Sequence, residues 1–147
     1  LKDGLHTISV KASDNDGNVA GAKTATFTVD TVPPTLQITA PSNDLVTNKK
    51  TVTVTGKTDD VTSKPVTVTV NGTTVTVETD GTFTKDVTLV EGANTITIVA
   101  KDKAGKTTTV TRKVIVDTSA PVIKSVTLTP NPVDCGKTFI IAVEITD

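Results

Sequence analysis

The chain is poor in the residues from which most reactive sites are built. It holds one cysteine, Cys135, and one histidine, His6, in 147 residues. A lone cysteine excludes an internal disulfide and a multi-cysteine metal site. A lone histidine excludes a histidine-cluster metal centre. Aromatics amount to 2%, with no Trp and no Tyr, only Phe27, Phe83 and Phe139. Methionine is absent, so residue 1 is not an initiator and a processed or partial chain is expected. No apolar run is long enough for a bilayer span or a signal peptide. Neither sign of charge dominates: 15 basic and 16 acidic residues leave a net charge of -1. That balance carries no electrostatic footprint for nucleic acid or an anionic membrane, and neither is expected as a partner.

What the chain has in abundance is Thr and Val. Thr alone is about a fifth of it, well above ordinary usage. Both are β-branched and suit the pleated, half-buried surface of a sheet. The apolar positions alternate: residues 51–55 read TVTVT, 66–70 VTVTV, 73–77 TTVTV and 95–99 TITIV. A period of two sets Val and Ile on one face and Thr on the other, the pattern of an antiparallel sheet wet on one side. No segment has a 3.6-residue apolar period. Turn residues fall between the runs. Asn71-Gly72 suits a two-residue type I′ hairpin and Asp80-Gly81 reads the same way, while Ala104-Gly105 and Asp16-Gly17 close two more. Many short strands with close turn signals predict a sandwich or barrel.

The chain also resembles itself. Residues 4–14 (GLHTISVKASD) match 92–102 (GANTITIVAKD) at an offset of 88, and 30–34 (DTVPP) match 117–121 (DTSAP) at 87. The one-residue difference fits a gap in the second strand of each hairpin. A period of this length is a whole sandwich domain. The Asp-Thr-x-x-Pro segments then read as short, stiff junctions, because proline fixes its own φ and extends its predecessor. The expected division is 1–31 as the last hairpin of one domain, 32–118 as a complete domain and 119–147 as the opening strands of a third. Strands are predicted near 35–40, 50–57, 65–71, 73–78, 82–89, 94–102 and 107–117. Their core would come from Leu36, Ile38, Val52, Val54, Val66, Val68, Val70, Phe83, Leu89, Ile96, Ile98, Val110, Val114 and Val116.

Residues 92–105 (GANTITIVAKDKAG) followed by 116–121 (VDTSAP) resemble the closing half of bacterial immunoglobulin-like repeats. Residues 68–77 (VTVNGTTVTV) and 80–83 (DGTF) resemble their middle hairpins. The glucodextranase-B-like branch is nearest in pattern. The resemblance implies an all-β fold of tandem immunoglobulin-like β-sandwiches, one complete and two partial. It also implies a non-catalytic structural or spacer module, a stalk or adhesin repeat, in an extracellular or secreted bacterial surface protein. Its partners would be neighbouring immunoglobulin-like domains and a cell-surface or host ligand. Residues 126–133 (VTLTPNPV) with 139–143 (FIIAV) are similar to modules of phage tail proteins, so a virion location is an alternative. A carbohydrate-binding accessory domain of a secreted enzyme is another.

No catalytic constellation is legible. His6 begins a strand and has Asn94 as its repeat partner, so it reads as an exposed polar residue. Cys135 sits in an Asp134-Cys135-Gly136 turn with no His beside it; a lone thiol mildly favours assembly in a reducing compartment. The three Phe lie in alternating strands and read as core rather than as sugar platforms. Asn71-Gly72-Thr73 has the form of a glycosylation sequon, which the hairpin explains. No cofactor is expected beyond calcium, for which two candidates arise. Asp14, Asp16 and Asn18 offer oxygen ligands at alternate positions. Asp30 and Asp117 precede the proline junctions, within reach of loops carrying Asp59, Asp60 and Asp102. The competing reading of both is a local turn bond from side chain to backbone.

Overall fold

A computed structural model describes residues 1–129, 131 and 135–147. The phage-like 126–133 motif and the Asp134-Cys135-Gly136 turn include Pro130, Pro132, Val133 and Asp134, which lie outside the described residues. Twelve strands and no helix make up the described chain. They are β1 (Gly4–Val10), β2 (Lys23–Val29), β3 (Thr35–Ala40), β4 (Leu45–Thr47), β5 (Thr51–Asp59), β6 (Thr67–Val70), β7 (Thr73–Val75), β8 (Thr82–Thr88), β9 (Gly92–Lys101), β10 (Thr107–Val116), β11 (Val122–Thr129) and β12 (Ile140–Thr146).

Strands β3 to β10 form two sheets, ordered β4-β10-β9-β6-β7 and β3-β5-β8. All pairings within them are antiparallel except β4 with β10. One core joins the sheets. Val54, Phe83 and Val87 face it from the smaller sheet, and Val68, Val70, Ile96, Ile98, Val114 and Val116 from the larger. Valine and isoleucine alternate with threonine along these strands, so each buries its apolar face and leaves a row of hydroxyls to water. Leu36, Ile38 and Val52 pack against the cluster partly buried, and Val110 is half-buried. Val75, Val87 and Ala100 join the core without having been anticipated.

Within the strands, close packing is seen at Gly56, which pairs with Phe83 across β5 and β8. A Cβ there would lie 2.7 Å from Phe83 Cζ and 2.5 Å from the Gln37 carbonyl oxygen. The ring lies over the glycine and fills the space a side chain would occupy.

Among the described residues, strands β1 and β2 pair only with each other, as do β11 and β12. The expectation that all three phenylalanines are core holds for Phe83, 2% exposed, and fails for Phe27 and Phe139, 38% and 52% exposed. Those two stand on or beside two-stranded sheets that no second sheet covers among the described residues. Strand β4 went unforeseen, because three residues cannot show a period.

The turns refine the sequence reading. Asn71 and Gly72 have φ of 47° and 78°, the two positive values of a type I′ turn. Asp80-Gly81 differs from the two-residue turn expected. The Gly81 amide donates to the Glu78 carbonyl and the Glu78 amide to the Thr82 carbonyl, which makes a three-residue loop with Gly81 at φ 85°. Loops 14–18 and 102–106 repeat that arrangement, with Gly17 and Gly105 at 86° and 89°.

Candidate cation site at the Asp30 junction

The two hairpins of similar sequence also correspond in detail. Asp14 Oδ1 accepts the Asn18 amide at 2.8 Å, and Asp102 Oδ1 accepts the Lys106 amide at 2.8 Å. At the open ends, Asp3 accepts the Thr31 amide and hydroxyl, and Glu91 accepts the Thr118 amide and hydroxyl. Just beyond, Asp30 Oδ1 takes the Val32 amide at 3.1 Å and Asp117 Oδ1 the Ser119 amide at 3.0 Å. The extra residue of the first hairpin lies between Ala20 and Lys23. Val10 pairs with Lys23, whereas the Ala20 amide already bonds to the Ala12 carbonyl.

The expected ligands separate on this frame. The Asp14 carboxylate is used up inside its own loop: one oxygen takes the Asp16 and Asn18 amides and the other takes Asn18 Nδ2 at 2.8 Å. Its pKa is held below the usual carboxylate range, chiefly by the Asn18 side-chain amide and then by the Asn18 backbone. The cluster Asp14, Asp16 and Asn18 therefore adopts the turn geometry that its Asn-Asp-Gly sequence favours.

Asp30 has a different setting. One carboxylate oxygen from each of Asp30, Asp60 and Asp102 comes within 4.8 Å of the others. Asp60 and Asp102 are 6% and 4% exposed, and Asp30 is half-buried. The three residues directly follow β2, β5 and β9, so the cluster joins the first hairpin to an end of each sheet. Each aspartate spends one oxygen on a local turn. Asp30 Oδ1 holds the Val32 amide, Asp60 Oδ1 holds the Thr62 and Ser63 amides, and Asp102 Oδ1 holds the Lys106 amide. The second oxygens of Asp30 and Asp102 are buried with no hydrogen-bond partner. Asp117, the counterpart of Asp30, is exposed and belongs to no such group among the described residues.

Among the described residues no Lys or Arg nitrogen lies within 4.0 Å of these three carboxylates, and the ion pair of the neighbourhood is Lys64 with Asp59 at 2.7 Å. That pair holds the Asp59 pKa below the usual range, first through the Lys64 hydrogen bond. Asp59 was expected near the junction, and it is spoken for.

Elsewhere the residues offer little chemistry. His6 is half-buried, stacks on Phe27 with ring centroids 5.4 Å apart, and faces the Lys2 carbonyl through Nε2 at 2.7 Å. Cys135 is exposed. Asn71 is tied to β9, its Oδ1 accepting the Thr97 amide at 2.8 Å.

Two facing sheets closed by hairpins, with turn aspartates instead of reactive groups, define an all-β, immunoglobulin-like accessory module. Residues 34–118 match the family described as Glucodextranase, domain B, and the chain belongs to that family. Bacillopeptidase F of Bacillus subtilis (strain 168) is 33% identical over 123 residues, which cover 84% of this chain and 8% of that protein. Similar solved structures include the fibronectin(III)-like modules of Clostridium thermocellum CbhA, with TM-score 0.48 and 22% identity, covering 80% of this chain and 64% of that one. A tetra-tandem repeat from the extending region of a large adhesion protein has TM-score 0.48 and 21% identity, covering 98% and 46%. No helix among the described residues is long and apolar enough to cross a membrane.

Proposed function

We propose that the chain is a non-catalytic spacer segment of an extracellular bacterial surface or secreted protein. In this reading residues 32–118 are one immunoglobulin-like domain, 1–31 the last hairpin of the domain before it, and 119–147 the opening strands of the domain after it. The observation that carries the reading is the recurrence of one hairpin design at domain spacing. Asp3 with Thr31 and Glu91 with Thr118 make the same clamp, each followed by the same aspartate turn and a proline. A motif that recurs with its junction belongs to a series of units joined in line. The domain at 32–118 also has a single aromatic residue, Phe83, and it is buried. Its outer surface thus lacks the platform on which a sugar ring stacks, which favours a spacer over a glycan-binding accessory domain.

The test is a swap in the full-length parent protein. Replacing residues 32–118 with an unrelated immunoglobulin-like domain of equal length should preserve the parent's activity or attachment, and deleting them should impair it. Loss of function in the swap as severe as in the deletion would identify a specific binding module instead.

A further inference from the structure

We propose that Asp30, Asp60 and Asp102 form a calcium site that fastens the first hairpin to the sandwich. The strongest observation is the pair of orphaned oxygens. A buried carboxylate oxygen without a donor is costly, and here two of them, on Asp30 and Asp102, belong to one cluster. Asp102 is 4% exposed, so bulk water does not screen it. With Asp60 the cluster brings three carboxyl groups together, with no ammonium or guanidinium within 4.0 Å among the described residues. Like charges at this spacing repel strongly in a partly desolvated site. A divalent cation removes the repulsion and gives the orphaned oxygens a partner.

The donor set fits calcium. All three ligands are hard carboxylate oxygens. Oxygens within 4.8 Å of one another match the span that a calcium ion bridges with bonds of about 2.4 Å. Calcium takes six to eight oxygens in flexible geometry, so three side chains with carbonyls and waters suffice; magnesium demands a tighter octahedron. The ligands are also held ready. Each aspartate is oriented by amides on its other oxygen, so little side-chain entropy remains to be lost on binding. The Ser63 carbonyl accepts the Lys103 amide at 3.3 Å, which ties the Asp60 loop to the Asp102 loop before any ion arrives. Asp30 is the ligand that comes from the other side of the junction. Bound calcium therefore restrains the angle between the hairpin and the sandwich, and its removal frees that angle. The ion's binding does not depend on what the parent protein does, so failure of the domain swap would leave this site standing.

The experiment is calorimetric titration of the 147-residue chain, stripped with EDTA, with calcium chloride, alongside hydrogen exchange with and without calcium. Binding of one ion per chain is expected, with slowed exchange at residues 30–32, 60–63 and 102–106. Asp30→Asn and Asp102→Asn should each weaken binding by about tenfold or more. Both keep an oxygen for the turn amide, and Asp30→Asn leaves the core untouched if the other variant fails to fold. Asp14→Asn should bind as the parent chain does. Absence of binding at millimolar calcium would overturn the proposal, as would unchanged affinity in Asp30→Asn. Equal affinity for magnesium would overturn the assignment to calcium.

Discussion

Hairpins β1–β2 and β9–β10 are nearly the same object in two settings. Both carry a three-residue glycine loop, an aspartate cap on that loop, and an acid–threonine clamp at the open end. Ile8 and Val10 match Ile96 and Ile98 at the offset of 88. Yet Ile96 and Ile98 are 0% exposed, while Ile8 and Val10 are 51% and 61% exposed. The hairpin's shape is a local matter of turn chemistry and cross-strand pairing. Its burial depends on a second sheet, which β3-β5-β8 supplies to one copy and no other sheet among the described residues supplies to the other.

The sharpest way to break the comparison is to shorten matched side chains. Ile96→Ala should cost about 2–5 kcal/mol in denaturant unfolding, because it leaves a cavity between the sheets. Ile8→Ala should cost about 0.5 kcal/mol or less, as surface substitutions do. Similar losses at both positions would mean that the first hairpin is covered in solution.

A second test probes the contact between the sheets' own elements. Gly56→Ala should destabilise the sandwich by about 1–3 kcal/mol, since the new methyl would meet the Phe83 ring and the Gln37 carbonyl. Thermal melting reads this directly, and an unshifted midpoint would show that β5 and β8 separate easily. The first hairpin has no counterpart to this glycine.

The smallest effect concerns the clamps. Thr118 donates its amide and hydroxyl to Glu91, and these bonds, the backbone one first, hold the Glu91 pKa below the usual glutamate range. The stabilisation is therefore fully present above the unfolded glutamate value of about 4.3. It is lost as pH falls through the lower folded value. Exchange of the Thr118 amide should accelerate on acidification through that window once its intrinsic pH dependence is removed, and Glu91→Gln should flatten the response. A response unchanged in Glu91→Gln would show that Glu91 does not hold Thr118 in solution. Comparing Thr31 over Asp3 would show whether the two clamps work alike.

Much of the sandwich was readable from residue order. Alternating Val and Thr marked the strands at 51–59, 67–70 and 92–101, and Asn71-Gly72 marked its turn. The losses have physical causes. Strand β4 is too short to alternate, and it is held by parallel pairing to β10, a long-range contact. Asp80-Gly81 looked like a two-residue turn because the same dipeptide also closes a three-residue loop when the glycine takes a left-handed bulge. Phe27 and Phe139 have the neighbours of core residues without the opposing layer.

The acidic residues divide in the same way. Asp14 and Asp102 occupy equivalent loops, and order alone offered both as candidates, Asp14 with Asp16 and Asn18 beside it and Asp102 on a loop within reach of the junction. Folding gives their second oxygens different surroundings. Asn18 caps the free oxygen of Asp14, whereas Lys106 donates only its backbone amide and leaves the other oxygen of Asp102 open toward Asp30 and Asp60.

Periodicity, turn dipeptides and the spacing of the copies were enough to determine the kind of element, the hairpin partners and the family, because each depends on contacts between near neighbours or on a repeated string. Which apolar faces are covered, and which carboxylates meet, depended on bringing residues 30, 60 and 102 together across strands far apart in the chain. Residue order had put Asp59, Asp60, Asp102 and Asp117 forward beside or in parallel with Asp30, but the choice among them leaves no local trace, since it is made by how whole sheets stack rather than by what any residue's neighbours prefer.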